Sequence, residues 1–308
     1  MMKRRDFLRL TTLTAGTLAL TPGKGVTETV STPVAIDPVW VPLTKEVNTT
    51  RVGFGTGMRG WERRSDLTRA GYPKAIELLR FAYDQGVRLF DCADLYGTHN
   101  VVAEALKDKP RDSYVLVTKI WMHKNGLQEV ERLDPQITVQ RFLRELKTTY
   151  IDVVQLHCIQ NVQWTREFAD AMESLAKLKE AGIIRAHGIS SHSSGATELA
   201  AATEWCDVVH VRLNSEGFNM DGFPDDPMKR VEEGVRIVKH VHDAGKGIVG
   251  MKVLGEGKMA NDPEMRRKST KFVSQLGCVD VMIVGFSEKE HITEFLANVA
   301  AASVSVAT

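Results

Sequence analysis

The sequence predicts an α/β fold, a single barrel of eight parallel strands each followed by a helix, the (β/α)8 or TIM-barrel type. Three observations point to it. Short β-branched apolar runs alternate with helical patterns from Thr49 onward, at intervals of roughly 25 to 40 residues, the rhythm of repeated strand–helix units. The runs are continuously apolar instead of alternating, as a parallel sheet covered on both faces requires. Polar residues capable of chemistry close successive runs, and the C-terminal ends of barrel strands converge on one rim.

The strand runs are 52–56, 87–92, 114–119, 153–157, 186–190, 208–213, 248–253 and 279–284. Helical patterns fill the gaps at 73–85, 135–147, 169–181, 229–244, 263–276 and 288–299. Pro73 opens the first of these and Gly86 follows it, the usual start and stop chemistry. Asp134 is placed to cap the helix that Pro135 begins, while Gly182 and Gly245 end the third and fourth. Eight strand–helix units close a barrel. An open doubly wound sheet is the rival. It fails because Gly53-Phe54-Gly55-Thr56-Gly57 does not run directly into a helix, the context a dinucleotide fingerprint needs.

Of 308 residues, 43% are hydrophobic, enough for one large core. A net charge of +1 gives no reason to expect a nucleic-acid partner. Cys92, Cys158, Cys206 and Cys278 are widely spaced singletons beside apolar runs, so they read as small buried hydrophobes and not as metal ligands. His240 and His242 fall two apart on a helix and face different ways, and a shared metal among His187, His192 and His210 would need all three at one rim plus a carboxylate. No metal is expected.

The N-terminus is separate. Arg4-Arg5-Asp6-Phe7-Leu8-Arg9 precedes a short apolar, Thr-rich stretch to Leu20, the layout of an export signal and too short to span a membrane. The string resembles a twin-arginine signal, which implies a bacterial protein carried folded by the twin-arginine machinery to the periplasm or beyond. Residues 1–30 read as that signal, 31–48 as a linker and 49–308 as the barrel.

Four residues carry the chemistry: Asp91, Tyr96, Lys119 and His157. Reducing a carbonyl with hydride leaves an alkoxide that needs a proton donor within hydrogen-bond reach. A tyrosine hydroxyl, with an ordinary pKa near ~10, needs help to serve. Lys119 is expected to lower it, Asp91 to hold the lysine, and His157 to orient the carbonyl oxygen. Hydride must come from a cofactor. Two rivals remain: a dinucleotide-binding or sensing barrel without turnover, and a lysine Schiff-base aldolase using Lys119.

Six segments stand at or beside the strand ends: Gly86-Val87-Arg88-Leu89-Phe90-Asp91-Cys92-Ala93, Tyr96-Gly97, Val117-Thr118-Lys119, Asp152-Val153-Val154-Gln155-Leu156-His157, Gly188-Ile189-Ser190-Ser191 and Val284-Gly285. In this order they resemble the motifs of the aldo-keto reductase family. Residues 250–257, together with the signal, are similar to an exported branch. The resemblance implies an aldehyde, ketone or alcohol substrate, a monomer or small oligomer, and a nicotinamide cofactor, with a family habit of NADP(H) over NAD(H) that the residues leave open. It assigns Ser190, Ser191 and His210 to the carboxamide, Met251 to the nicotinamide face, Gly285 and Ser287 to phosphate, and Glu294 to adenine. His291 stands where an arginine is common, which weakens the 2′-phosphate site. Loops 59–72, 122–133 and 214–227 carry Trp61, Trp121 and Phe218 toward an apolar substrate pocket or onto the barrel mouth.

Overall fold

Eight strands close into one barrel, in the order in which they occur along the chain, with every neighbouring pair parallel. The computed structural model describes residues 38–127, 134–223 and 225–304, all within one compact unit. The export-signal reading of residues 1–30 lies outside the described residues.

A hairpin comes first, β1 (Trp40–Pro42) paired antiparallel with β2 (Asn48–Thr50). The barrel strands are β3 (Val52–Gly55), β4 (Leu89–Asp91), β5 (Val115–Trp121), β6 (Ile151–Ile159), β7 (Ile184–Ser191), β8 (Val208–Arg212), β9 (Gly247–Met251) and β10 (Val281–Val284). Around them lie α1 (Asp66–Arg69), α2 (Tyr72–Asp84), α3 (His99–Leu106), α4 (Pro135–Leu146), α5 (Trp164–Glu167), α6 (Ala169–Glu180), α7 (Ser194–Ala202), α8 (Pro227–Asp243), α9 (Pro263–Gln275) and α10 (Lys289–Val304).

Three helices start on Asp-Pro, and each start has the same cause. The carboxylates of Asp134, Asp226 and Asp262 accept backbone N–H bonds from their first turns, and the following proline gives up no useful donor. That pairing sets α8 at Pro227, two residues before its expected start.

Alternation along the strands divides the apolar residues between two layers. Leu116, Val154, Leu156 and Ile189 face outward into the shell between strands and helices. Leu89, Val115, Val117, Val153, Ala186, Val208, Val249, Val281 and Ile283 face inward and fill the barrel floor. Leu43 and Val47 join that inner layer, 4% and 1% exposed. The linker reading of 31–48 therefore differs at its C-terminal end, because the turn of the first hairpin plugs the bottom of the barrel. Leu43 O lies where a Cβ on Gly247 would stand, at 2.2 Å, so the plug is fitted to a glycine at the start of β9.

No helix among the described residues is long and apolar enough to cross a membrane. If the plug closes the floor, Leu43→Ala should cost about 2–4 kcal/mol of stability. Urea unfolding measures it, and a change below about 0.5 kcal/mol would return this segment to the status of a tether.

Candidate active site

Inward-facing positions above the apolar floor are polar: Asp91 on β4, Lys119 on β5, Gln155 and His157 on β6, Ser190 on β7 and His210 on β8. Lys119 is 1% exposed and Asp91 2%, so both charges are out of water. Lys119 Nζ donates to Asp91 Oδ1 at 2.5 Å and to the Cys92 carbonyl at 2.9 Å. His210 Nε2 reaches the same Asp91 oxygen at 3.1 Å. Burial alone would raise the Asp91 carboxyl, but Lys119 and His210 outweigh it and hold the group below the ordinary carboxylate range.

Tyr96 stands on a short 3-10 turn, Asp94–Tyr96, that follows β4 directly. Its hydroxyl lies 3.3 Å from His157 Nε2, and Lys119 Nζ lies 5.3 Å from the centre of its ring. Burial, and then the Asp91 carboxylate, keep the phenol well above its ordinary pKa. The expectation that Lys119 lowers it is not met in the protein alone. The lysine's charge is already matched by Asp91 and the Cys92 carbonyl, while the exclusion of water acts on the phenolate unopposed. Burial and Lys119 likewise hold His157 well below the ordinary histidine value, so its imidazole is neutral at pH 7. His157 Nδ1 is buried without a hydrogen-bond partner among the described residues.

Two devices fix the tyrosine. A Cβ on Gly57 would come within 2.2 Å of one edge of the Tyr96 ring, and one on Gly60 within 2.4 Å of the other. The Gly-rich segment after the first barrel strand is thus a slot for an aromatic ring. Below the turn, buried Asp94 accepts from Arg63 at 3.2 Å and Arg141 at 2.8 Å. Arg141 also grips Glu145 at 2.8 Å, and Glu145 accepts from His99 Nδ1 at 2.6 Å. Burial pushes Glu145 up, but the bonds from His99 and Arg141 win and bring it down to about 2.

Asp91, Tyr96, Lys119 and His157 all line one cavity of about 440 Å³, within the range of small-molecule sites. Met251, Gly285, Ser287, His291 and Glu294 line the same cavity as it runs to the start of α10. Ser190, Ser191 and His210 are not in its lining. Ser191 Oγ is spent on the Ser193 carbonyl and on Thr197, where it secures the start of α7. His210 is turned inward to Asp91, which differs from its expected contact with a carboxamide; Ser190 Oγ is buried without a partner among the described residues. Glu294 is bridged to Arg266 at 2.9 Å, and His291 Nδ1 lies 3.2 Å from Ser287 Oγ. Lys289 is paired with Glu77 at 2.5 Å.

Sequence reasoning missed Cys158, His192 and Arg266 as lining residues. Cys158 was read as buried filler, but a register shift at the end of β6, with its φ at 62°, brings it to the cavity wall. Arg266 lies on α9, far in sequence from the segment it meets, and nothing local signals it. Of the expected aromatics, Trp61 and Trp121 line the cavity, with rings 5.7 Å apart; Phe218 does not.

A closed parallel barrel whose strand ends gather Tyr, His, Lys and Asp defines a rim-site barrel protein. The profile of the Aldo/keto reductase family matches residues 51–303, and the chain belongs to that family. An aldo-keto reductase of Bacillus subtilis, YhdN, is 32% identical over 157 residues, 48% of this chain and 45% of that protein. A D-arabinose 1-dehydrogenase of Saccharomyces cerevisiae is 28% identical over 123 residues, 38% of this chain and 36% of that one. The match thus spans less than half the length of either relative. Among solved structures, an aldo-keto reductase chain from Pseudomonas aeruginosa superposes with a TM-score of 0.69 at 23% identity, covering 88% of this chain and 98% of that one. One from Klebsiella pneumoniae, solved with NADPH, gives 0.60 at 18% identity, covering 86% and 90%. Both likenesses are of fold.

Gly57→Ala should force the Tyr96 ring aside and cut any activity of the site more than tenfold while the fold survives, since one methyl meets one ring. Full activity in that variant would disprove the slot. Glu145, with its folded value depressed, stabilises fully above its ordinary pKa of about 4.3, and that contribution is lost as pH falls toward about 2. Glu145→Gln should therefore be less stable by roughly 1–3 kcal/mol at pH 7. In urea titrations the gap from the parent should close on acidification, and a gap unchanged at low pH speaks against the clamp.

Proposed function

We propose that this protein is a nicotinamide-dependent oxidoreductase that reduces an aldehyde or ketone, or oxidises the corresponding alcohol. The observation that carries the reading is the pairing of a neutral phenol with a neutral imidazole, 3.3 Å apart, over a buried Lys119–Asp91 ion pair in the cavity wall. Tyr96 Oη and His157 Nε2 converge where a carbonyl oxygen can take two hydrogen bonds. A phenol held neutral keeps its proton until an alkoxide, a far stronger base, forms beside it. Lys119 then lies close enough to favour the phenolate left behind. Asp91 keeps Lys119 in place and is itself held ionised. A lysine so engaged by Asp91 and the Cys92 carbonyl is poorly placed to attack a carbonyl, which weighs against the Schiff-base reading.

Hydride is supplied by a bound nicotinamide dinucleotide. The residues present fit one. The cavity runs from the Tyr96–His157 pair to the start of α10, where Gly285 and Ser287 precede a 16-residue helix, and a helix N-terminus favours phosphate. Met251 lies on the wall between. Of the expected carboxamide set, Ser190 Oγ and His210 Nδ1 are buried without a partner among the described residues. For NADP(H) over NAD(H), the supporting group is Arg266, a guanidinium at the Glu294 end that answers the missing arginine at His291. The Arg4-Arg5 string further supports a protein exported folded to the periplasm of a bacterium, with its cofactor already loaded.

Tyr96→Phe should lower turnover about 10²- to 10⁴-fold and leave dinucleotide affinity almost unchanged. An unchanged rate sinks the role of Tyr96. In fluorescence titrations of the purified protein, NADPH should bind roughly 10- to 100-fold more tightly than NADH, and Arg266→Ala should remove that preference. Equal affinities in the parent protein would remove the NADP(H) preference, tighter binding of NADH would assign the site to NAD(H), and binding of neither would withdraw the reductase reading.

A further inference from the structure

His192 follows β7 at the rim and takes no part in the chemistry described above. Its backbone N–H donates to the Ile159 carbonyl at 2.7 Å, which ties it to the end of β6. The side chain lines the same cavity as Tyr96 and His157. Its Nδ1 receives Arg212 Nη2 and lies 3.2 Å from the thiol of Cys158, the residue directly after His157. Arg212 is itself held by Asp221 at 3.1 Å, both side chains being less than one-fifth exposed.

This arrangement fixes the imidazole. A guanidinium has only donors, so Nδ1 must present its lone pair to Arg212, and the ring's single proton sits on Nε2. A second proton is opposed from several sides. Burial first, then Arg212 on β8, Lys252 after β9, His123 after β5 and Lys119 on β5 hold His192 down to about 2. Asp221, the carboxylate that meets Arg212, is occupied by it, and Glu256 by Lys252. No hydrogen bond to Nε2 forms among the described residues.

We infer that His192 presents a fixed Nε2–H donor to the substrate, so that the site selects carbonyl compounds bearing a second, uncharged oxygen, a hydroxyl or a carbonyl, beside the reacting group. The inference rests on the oxidoreductase reading of the same cavity. A neutral donor in a wall that also holds Trp121 and Leu95 is left unsatisfied by an alkyl aldehyde and satisfied by a hydroxylated one. A charged carboxylate is a poorer fit, because the cations on this side are already paired: Arg212 with Asp221, and Lys252 with Glu256 at 2.7 Å.

Two measurements test it. With NADPH or NADH as the reductant, glycolaldehyde and D-glyceraldehyde are compared with acetaldehyde and propanal. The parent should favour the hydroxylated member of each pair in kcat/KM by about tenfold or more. His192→Phe should bring that ratio near one while leaving the rate on propanal within about threefold, and His192→Gln, which keeps an N–H, should restore part of it. Equal losses on both members of a pair would mean a structural role and would overturn the inference. So would a parent that shows no preference.

The second readout does not need turnover. In ¹⁵N-histidine NMR, the signals that disappear in His192→Phe should be those of a pyridine-type Nδ1 and a protonated Nε2, unchanged between pH 5 and 8. An Nδ1-protonated ring, or one that titrates near the ordinary value, overturns the inference while the reductase reading stands. If the tautomer is as described and no carbonyl in a broad panel is reduced, the reductase reading falls and the inference with it.

Discussion

The Lys119–Asp91 ion pair governs the chemistry of this barrel. Two opposite charges 2.5 Å apart sit where neither touches water, a placement that costs several kcal/mol per ion unless geometry and extra hydrogen bonds restore it. The Cys92 carbonyl and His210 supply those bonds. The pair then sets its neighbours: the lysine cation discourages protonation of His157 and His210, and the carboxylate discourages ionisation of Tyr96. A neutral donor pair over a matched charge pair follows from one buried interaction. Leaving either charge alone would cost far more than the two together, which ties the integrity of the rim to the site's function.

Several features of this arrangement were legible in the sequence, for a physical reason. A residue that ends a buried parallel strand must face either the barrel interior or the helices, and alternation decides which. Asp91, Lys119 and His157 could therefore be placed together from their positions at the ends of apolar runs. What could not be read was anything decided across strands. Arg266 meets Glu294 from a different helix, His192 is oriented by Arg212 on the next strand, and His210 turned to Asp91 instead of toward a carboxamide. In each case the polar atom found a partner in the fold that is distant in sequence.

The floor was misread for a different reason. Strands of three residues, as in β1 and β2, are too short to show a period, so Pro- and Thr-rich residues up to 48 looked like a tether. Helices α3 and α7 were also passed over. The first has only eight residues and follows Thr98, which makes no side-chain cap bond, and the second is rich in alanine with little apolar stripe. The glycines after the first barrel strand were noticed but unexplained, because the ring that needs their bare backbone arrives some forty residues later in the chain.

Backbone strain follows the same division between floor and rim. Non-glycine residues with left-handed φ include Arg59, Glu62 and Arg63 after β3, Cys158 at the end of β6, Asn219 and Phe223 after β8, and Lys252 and Glu256 after β9. All lie at the ends of strands or in the loops that follow those ends. Lys147, at the end of α4, is the exception, in a position where helices often turn left-handed. Conformations of this kind cost of order 1–3 kcal/mol each and persist only where surrounding structure imposes them. Here the imposing structure is the closed sheet with its apolar inner layer and hairpin plug. Because that floor supplies stability without using the rim, the rim can hold buried charges, an imidazole nitrogen without a partner among the described residues, and irregular backbone together, and so keep Tyr96 and His157 side by side at the cavity wall.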